Sequence, residues 1–281
     1  MSRVISGLKE RALEKSEWTI EHIDGLTIVR SPLLSQHSNK LTHAFTTRLG
    51  GGSFDHLASF NLGRHIDDEN VRADAMKNRE RLCNVIGADY ARLIVPGQVH
   101  SATVHVVKAA DEERNLKEVD GVTTNLKGHP LLLHFADCVP IILYDPVREA
   151  LAVVHAGWRG TAASIIKNAV HEMQSNFASR PQDILGAVGP AIGTCCYPTG
   201  EDAAEKLSRT VENASGLIER ASASEQFRAD LKALNAMQLY EAGLESVDVT
   251  DLCTACRPDI FYSHRQSGGK TGRQGAMAQL L

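Results

Sequence analysis

The sequence lacks long hydrophobic runs and a large excess of charge of either sign. No apolar run approaches the roughly 20 residues that a membrane-spanning helix requires, and the N-terminal stretch MSRVISGLKERALEKSEW has no apolar core like that of a secretory signal. A net charge of −4 and a pI near 6.3 exclude a general basic field for nucleic acid or an anionic membrane. We therefore expect a cytoplasmic protein that binds neither nucleic acid nor membrane, and in which any anion site is local. The sequence identifies no protein partner.

Cysteine is also scarce, and internal repeats and low-complexity tracts are absent. Six cysteines in 281 residues are too few for a disulfide scaffold, so we expect buried thiols, ligands or nucleophiles. Cys195 and Cys196 are adjacent, and Cys253 and Cys256 have CxxC spacing, but no second CxxC follows at zinc-ribbon distance. This pattern favours ordinary buried or site-lining thiols over a structural zinc. The composition, 43% hydrophobic and 23% charged, is typical of an ordinary globular protein, and we predict a single domain over residues 1–281.

Residues 129–161 carry the most informative pattern. Short β-rich runs bounded by Asp, Pro and Gly predict buried strands at residues 131–133, 141–143 and 151–154. Cys138 follows the first run, and His155 closes the third. Because these two residues end neighbouring strands, we expect them to meet in space although they are 17 positions apart.

The rest of the chain alternates between predicted helices and strands. Hydrophobic periodicity predicts helices over residues 69–86, 201–209 and 227–242, and a helix that opens at Gly160-Thr161. Predicted strands include residues 93–95, 103–107, 181–188, 247–249 and 260–262. The Ser-rich connection over residues 213–225 is the best candidate for a flexible insertion.

Two histidines and one cysteine suggest three interpretations of the central residues. His100, Cys138 and His155 form a three-ligand zinc set, and a fourth position left to water or substrate is typical of catalytic zinc. Alternatively, Cys138 is a nucleophile and His155 its base. In the third interpretation Cys138 is a core residue, and the glycine- and arginine-containing loops bind a ligand without catalysis. The long spacing between the three residues leaves these alternatives open.

Several arginines stand beside glycine-rich loops that are suited to anion binding. Arg48 precedes Gly50-Gly51-Gly52, and Arg159 lies at the start of the predicted helix. The planar guanidinium grips phosphate or carboxylate bidentately, and a helix start adds unpaired N–H groups. Near the C-terminus, Arg265 and Arg273 flank Gly268-Gly269 together with His264, either as a binding loop or as an exposed basic hairpin.

Eight motifs in a fixed order give the chain a family resemblance. They are FTTRLGGGS, NLGRHIDD, QVHSATV, GVTTN, ADCVP, VVHAGWRGT, GPAIGTCCY and CT…FYSHR…TGR. In this order they resemble the laccase-domain family, whose members are also called multicopper polyphenol oxidases, YfiH-like proteins or purine nucleoside phosphorylases. The match covers residues 41–280, and its specificity comes from ADCVP together with HAGWRG.

The resemblance implies a fold, a metal site and an activity. The fold is α+β, with mixed β-sheets between helical layers (α/β/β/α), similar to the catalytic domain of cytotoxic necrotising factors. The metal is zinc, bound by the histidine of QVH, the cysteine of ADC and the histidine of HAGWRG, which are His100, Cys138 and His155. The activity is phosphorolysis of adenosine, inosine and methylthioadenosine with inorganic phosphate as co-substrate, and adenosine deamination is a second reaction. Other attributed activities are phenol oxidation with copper and editing of peptidoglycan precursors.

Physical reasoning ranks these activities. A multicopper oxidase needs a second, histidine-rich copper cluster, and the twelve histidines include no His-x-His array to hold one, although copper can still enter the zinc site in vitro. For phosphorolysis we expect Arg48 and Arg159 to hold phosphate, with Arg265 and Arg273 as further binding residues, and His264 or a metal-bound water to protonate the leaving base. For deamination, Asp137 is the candidate acid or base, or else it orients a histidine. An amidase-type hydrolase that edits peptidoglycan precursors is the alternative.

Two departures from the family pattern concern substrate preference. Where many members have Cys-Tyr-Glu, this chain has Cys196-Tyr197-Pro198, so any role of that glutamate is absent or passes to Glu201. Where an Arg-Arg pair follows Ser-His, this chain has Arg265-Gln266.

Overall fold

The computed structural model describes residues 2–108, 116–220 and 226–281. The helices of this part of the chain are α1 (Ser2–Leu13), α2 (Pro32–Ser35), α3 (Glu69–Ile86), α4 (Trp158–Ala162), α5 (Ile165–Phe177), α6 (Glu201–Ser208) and α7 (Leu231–Glu241). Short 3₁₀ turns occupy Asp55–Leu57, Tyr90–Arg92 and Pro181–Asp183. Within the described residues, none of the helices combines the length and apolar character required to cross a membrane.

The strands form three sheets. Their bounds are β1 (Thr19–Ile23), β2 (Leu26–Arg30), β3 (Leu41–Thr46), β4 (Val104–Val106), β5 (Gly121–Thr124), β6 (Leu131–Phe135), β7 (Val139–Asp145), β8 (Ala150–Ala156), β9 (Leu185–Val188), β10 (Pro198–Thr199), β11 (Ile218–Arg220), β12 (Phe227–Ala229), β13 (Ser246–Val249) and β14 (Gln274–Leu280). A five-stranded antiparallel sheet has the order β1-β2-β3-β14-β6, and a six-stranded mixed sheet has the order β13-β9-β7-β8-β5-β4. A small three-stranded sheet, β10-β12-β11, completes the set.

The two large sheets pack face to face between helical layers, which follows from the alternation of side chains along each strand. In β6, Leu131 and Leu133 lie in the core between the sheets, whereas Leu132 packs towards α3. In β7, Ile142 and Tyr144 face the other sheet, and Ile141 packs on the opposite side with residues of α5 and α7. The predicted α+β fold with an α/β/β/α layering is confirmed.

Most predicted elements are present with bounds close to those expected, and helix 69–86 is reproduced fully. This helix begins at Asp68, whose carboxylate accepts the N–H groups of Asn70 and Val71, and it ends at left-handed Gly87 (φ 70°). Both signals are local, so the sequence displays them directly.

Several predicted elements are wrong, each for a physical reason. The helix expected to open at Gly160 begins at Trp158 and breaks at Ser164, whose φ of 57° interrupts the hydrogen-bond ladder. The helix predicted over residues 227–242 begins only at α7, because the Asp230 side chain caps it through the N–H of Ala233, and Phe227–Ala229 is a strand instead.

Two predicted strands are also wrong, and strands β10, β11 and β14 were not predicted. Residues 260–262 form no strand because the Tyr262 N–H bonds the Gln274 side chain rather than a neighbouring backbone. Residues 93–95 form only a single bridge, from Ile94 to Leu131. Strand β14, which the sequence analysis did not predict, inserts between β3 and β6. The connection over residues 213–225 lies partly outside the described residues.

Candidate functional site

The antiparallel β7–β8 hairpin sets the position of the candidate site. Cys138 immediately precedes β7, and His155 lies near the end of β8, opposite Pro140 in the register. In an antiparallel pair, the first residues of one strand lie beside the last residues of its partner. The two residues therefore meet as predicted, although Cys138 lies just before β7 and the run before it, β6, belongs to the other large sheet.

His100 joins this pair from the loop before β4. Its ring centroid lies 4.9 Å from that of His155. The ligand atoms of His100, Cys138 and His155 all lie within 4.8 Å of one another. His100 has a left-handed backbone, with φ of 64°, a conformation that costs a non-glycine residue free energy and that neighbouring contacts must stabilise.

Asp120, the residue before β5, supplies those contacts. Its Oδ1 accepts the N–H of His100 at 2.9 Å and lies 2.9 Å from Nδ1 of His155. Its Oδ2 accepts the N–H groups of Val99 and Ser101 and the Ser101 hydroxyl. The carboxylate is fully buried. It thus orients one histidine through the backbone and the other through the ring, and it leaves Nε2 of His155 directed away from it.

The charges at this site are strongly coupled. Burial alone would raise the pKa of Asp120, but the hydrogen bonds from His155 and Ser101 outweigh it and lower the pKa to about 2. Burial would also raise the pKa of Cys138, yet the charge of His155 and hydrogen bonds from both histidines lower it to about 6. Burial opposes ionisation of His155, whereas the charge of Cys138 and the bond to Asp120 raise its pKa to about 9. The pocket is therefore built to hold a thiolate and a positive charge beside it.

The geometry fits a tetrahedral metal ion. Zinc–nitrogen bonds of about 2.0–2.1 Å and zinc–sulfur bonds of about 2.3 Å place ligand atoms about 3.3–3.8 Å apart, within the observed limit of 4.8 Å. Gly157 leaves the room for this set, since a Cβ at that position would lie 3.1 Å from Sγ of Cys138 and 3.1 Å from Cδ2 of His100. Three protein ligands leave a fourth position for another group.

His100, Cys138 and His155 line a cavity of about 950 Å³ whose wall is basic. Within the described part of the chain, Asp137 is the one acidic residue among those that line it. Its arginines are Arg64, Arg72, Arg79, Arg159, Arg265 and Arg273. Arg72 pairs with Asp67, whereas the other five have no carboxylate partner among residues 2–108, 116–220 and 226–281. Such an excess of unpaired guanidinium groups is suited to an anion.

Arg79 is the most informative of these arginines because it is buried, at 6% exposure. Its Nε donates to the carbonyl of Leu62, and one Nη lies 3.1 Å from Nε2 of His134. Burial and the nearby charge of Arg64 lower its pKa to about 10. A buried guanidinium without a carboxylate carries a desolvation cost that a bound anion would offset.

The structure brings together most, but not all, of the residues that the sequence suggested for binding. Arg159 lies over the Trp158 ring, 4.4 Å from its centroid, and Arg265 lies 5.4 Å from the Tyr197 ring centroid. Both line the cavity, as do His264 and Arg273. Arg48 does not line it.

Arg48 is engaged elsewhere. Its guanidinium donates to the carbonyls of Ala58 and Pro258 and lies over the ring of Tyr262. These contacts tie loops together and give no support to a phosphate-binding role. Glu201 is exposed at the start of α6 and also lies outside the cavity lining.

Asp137 lines the cavity with both carboxylate oxygens already bonded. Oδ1 accepts the hydroxyl of Thr254 at 2.7 Å, and Oδ2 accepts the N–H of Arg265 at 2.7 Å. Asp120, rather than Asp137, is the carboxylate that orients a histidine. Asp137 instead fixes the backbone that carries Arg265.

Sequence reasoning missed Asp120, Arg79 and His134. Asp120 directly precedes the GVTTN motif, and a carboxylate is a frequent partner of a metal-binding histidine, so a search for one was possible. Arg79 lies among polar residues of an amphipathic helix, where nothing local distinguishes a buried arginine from a solvated one. His134 lies within an apolar strand, and its link to Arg79 spans 55 positions.

Comparison with known proteins identifies the family. A family model described as multi-copper polyphenol oxidoreductase laccase matches residues 42–281. A purine nucleoside phosphorylase, YlmD, of Bacillus subtilis (strain 168) is 37% identical over 248 residues, which cover 85% of this chain and 88% of that protein. An adenosine deaminase of an unknown prokaryotic organism is 33% identical over 222 residues, covering 76% and 84% of the two chains.

Solved structures agree with this result. YlmD from Geobacillus stearothermophilus superposes with a TM-score of 0.85 at 33% identity and covers 94% of this chain and 99% of its own. The hypothetical protein YfiH of Bacillus licheniformis gives a TM-score of 0.84 at 32% identity, with 92% and 98% coverage. With this fold and this sequence match, the chain belongs to the laccase-domain family of YfiH-like proteins.

Proposed function

We propose that this protein is a zinc-dependent purine nucleoside phosphorylase. The observation that carries the proposal is a His₂Cys donor set in a cavity whose wall bears five arginines without carboxylate partners among the described residues. Such a cavity suits a reaction in which phosphate is a co-substrate. Relatives named purine nucleoside phosphorylase support this assignment.

His100, Cys138 and His155 would hold the zinc ion. Two imidazoles and a thiolate are ligands that zinc accepts in tetrahedral sites, and a set of this kind can also take up copper in vitro. When bound, zinc would supply a Lewis acid at its open position. Asp120 holds the ring of His155 in the orientation that this requires.

The arginines would bind phosphate beside the ribose. In phosphorolysis a phosphate oxygen forms a bond to C1′ of the ribose while the bond from C1′ to the purine nitrogen breaks, and the electron pair stays on the purine. Arg79 offers a fixed, buried guanidinium, and Arg159 and Arg265 offer exposed ones. Both substrates are thereby held in one cavity, which lowers the entropic part of the barrier. Arg273, which also lines the cavity, is a further contributor.

The leaving purine needs a proton, and His264 is the residue that we assign to this role. It lines the cavity on the loop that also carries Arg265. Histidine is the side chain that enzymes use most often to transfer a proton to a reacting group. Asp137 keeps this loop in place through the N–H of Arg265.

Adenosine deamination is a second candidate activity. The residues that would hold the zinc line the same cavity, and a relative of this chain is named adenosine deaminase. Asp137 is the cavity carboxylate nearest in sequence to the donor set, and each of its oxygens keeps a lone pair besides its one hydrogen bond. It is the proposed acid or base for this reaction.

Two other activities receive less support. The relatives described above are named for nucleoside chemistry, and none supports the editing of peptidoglycan precursors. A multicopper oxidase needs a further histidine-rich cluster. In the described residues, the His, Cys, Asp and Glu groups with metal-binding geometry are the His₂Cys set and a group of four cysteines.

The experiment that tests the proposal is base release from inosine, adenosine and methylthioadenosine by purified protein, with and without inorganic phosphate. We expect free base and a ribose 1-phosphate product only when phosphate is present. Base release that is independent of phosphate would contradict phosphorolysis. Ammonia release from adenosine, measured in the same samples, reports deamination separately.

Arg159→Gln is expected to weaken phosphate binding. Arg159 is exposed and its guanidinium lies over the Trp158 ring, so we expect its replacement to leave the fold intact. A charge-assisted hydrogen bond contributes about 1.5–3 kcal/mol, which corresponds to a KM for phosphate raised about 10- to 100-fold. Steady-state kinetics at varied phosphate and at varied nucleoside measures the change.

Arg209→Gln, which removes an exposed arginine paired with Glu205 away from the cavity, is the matched control and should leave both KM values unchanged. An unaltered KM for phosphate in Arg159→Gln would remove Arg159 from the anion site.

A further inference from the structure

Four cysteines that are distant in sequence meet at one point. Cys195 and Cys196 lie on the loop between β9 and β10, and Cys253 and Cys256 lie on the loop after β13. The Sγ atoms of Cys195 and Cys253 are 3.7 Å apart, although the residues are separated by 58 positions. Cys256 Sγ lies 3.4 Å from Sγ of Cys195 and 3.4 Å from Sγ of Cys196. All four sulfurs lie within 4.8 Å of one another.

We propose that these four cysteines form a second, structural zinc site, separate from the His₂Cys set. Zinc–sulfur bonds of about 2.3 Å in a tetrahedron place the sulfurs about 3.8 Å apart. The observed separations of 3.4 and 3.7 Å match that edge length. A closed Cys₄ set, with no position left for water, is the pattern of structural zinc.

The backbone around Cys253 is also arranged as a ligand loop. Gly193 donates its N–H to Sγ of Cys253 at 3.1 Å. The backbone N–H groups of Cys256 and Ala255 also donate to this sulfur. Gly193 also leaves room for the sulfurs, since a Cβ there would lie 3.2 Å from Sγ of Cys195. Backbone donors that surround a sulfur in this way stabilise a bound thiolate.

The proposed zinc would join two loops that form one wall of the catalytic cavity. The first loop carries Ile192 and Tyr197, and the second leads to His264 and Arg265, all of which line the cavity. Thr254, between the two ligands of the CxxC pair, donates its hydroxyl to Asp137. The zinc would therefore act on the cavity by holding this wall, at a distance from the reacting atoms.

The sequence favoured ordinary thiols because it contains two separate cysteine pairs and no second CxxC motif. In the fold, the adjacent pair Cys195-Cys196 lies beside the CxxC pair Cys253 and Cys256. An isolated parallel bridge between Ala191 and Cys253, with the Thr254 N–H bonded to the Ala191 carbonyl, sets the two loops side by side. The adjacent cysteines then provide the two remaining ligands.

Metal counting tests the proposal independently of catalytic activity. Protein purified under reducing conditions is analysed by elemental mass spectrometry after removal of loosely bound metal. We expect two zinc equivalents per chain in the wild type, and one equivalent each in Cys138→Ala and in Cys256→Ser. Cys256 is exposed, so its replacement disturbs packing least. Cys83→Ala, which removes a thiol buried on α3, is the matched control and should keep both equivalents.

Two measurements on the wild type avoid any dependence on the folding of variants. A thiol reagent should leave the exposed Cys195 and Cys256 unmodified in the zinc-loaded protein and modify them after a chelator is added. Replacement of zinc by cobalt should give thiolate charge-transfer absorption, most of which is lost in Cys256→Ser and most of which persists in Cys138→Ala.

Three results would overturn the second zinc site. The first is a single zinc equivalent in the wild type that disappears in Cys138→Ala. The second is immediate modification of Cys195 and Cys256 in the zinc-loaded protein. The third is a disulfide among the four cysteines, or iron in place of zinc, in protein isolated under reducing conditions.

Discussion

Replacement of Cys138 by alanine is expected to abolish phosphorolysis and to remove the zinc ion of the His₂Cys set. The thiolate is the anionic ligand of that set, and two neutral imidazoles bind zinc far more weakly than the complete set does. Loss of a residue that merely orients a ligand costs about 10- to 100-fold, so loss of a ligand should lower kcat/KM by at least about 100-fold. Base release at saturating phosphate and the zinc content per chain measure the two effects.

Cys83→Ala is the control for this variant. Cys83 is fully buried on α3, and it lies outside the residues that line the cavity. Its loss should cost about 1 kcal/mol of unfolding free energy, as for other small core truncations, without a change in zinc content or rate. A Cys138→Ala protein that keeps its zinc but loses activity would favour the alternative in which Cys138 is a nucleophile. If the Cys138→Ala protein keeps both its zinc and its activity, the active site lies elsewhere.

The sequence predicted that Cys138 and His155 meet because the strands beside them are encoded locally, whereas the full set with His100 came from the family resemblance. Cys138 directly precedes the apolar run of β7, His155 lies near the end of the apolar run of β8, and antiparallel pairing of these two strands brings the two residues together. Once the strands are identified, the meeting of the two residues follows from geometry. The layered α+β fold was also predictable, through the order of motifs in the family.

The rest of the site depends on long-range pairing that local patterns do not contain. Asp120 reaches His155 across 35 positions, and Arg79 reaches His134 across 55 positions. Arg48 shows the opposite case, since a glycine-rich loop beside an arginine indicated phosphate binding, whereas its guanidinium donates to the carbonyls of Ala58 and Pro258. The sequence around an arginine such as Arg48 is the same whether its guanidinium binds phosphate or donates to backbone carbonyls.

The elements that were predicted wrongly have the same cause. Ser164 breaks a helix whose apolar periodicity continues across it, and β14 pairs with β3 and β6, which are far away in the sequence. Periodicity reports which face of an element is buried but not where its backbone hydrogen bonds go. The single-domain organisation, the cytoplasmic location and the likeness to cytotoxic necrotising factors stay predictions.

Asp120→Asn is expected to have the second large effect, through the orientation of both histidines. Oδ1 of Asp120 faces His155 Nδ1 and the His100 N–H, and Oδ2 faces the N–H groups of Val99 and Ser101 and the Ser101 hydroxyl. An asparagine has one oxygen and one NH₂ group. In either orientation its NH₂ group meets donors, so either the His155 side or the Ser101 side loses its acceptor.

We expect this change to weaken zinc binding at the His₂Cys set about 10- to 100-fold and to lower kcat more than it raises the KM for phosphate. Zinc affinity measured by competition with a chelator, together with steady-state kinetics, separates these effects.

Asp145→Asn is the matched control, because Asp145 is fully buried at the opposite end of β7 and accepts the N–H groups of Val147 and Arg148 through one oxygen only. An asparagine can keep both of those bonds, so zinc affinity should stay unchanged there. If Asp120→Asn binds zinc as tightly as Asp145→Asn does, the carboxylate serves the loop fold and not the metal site.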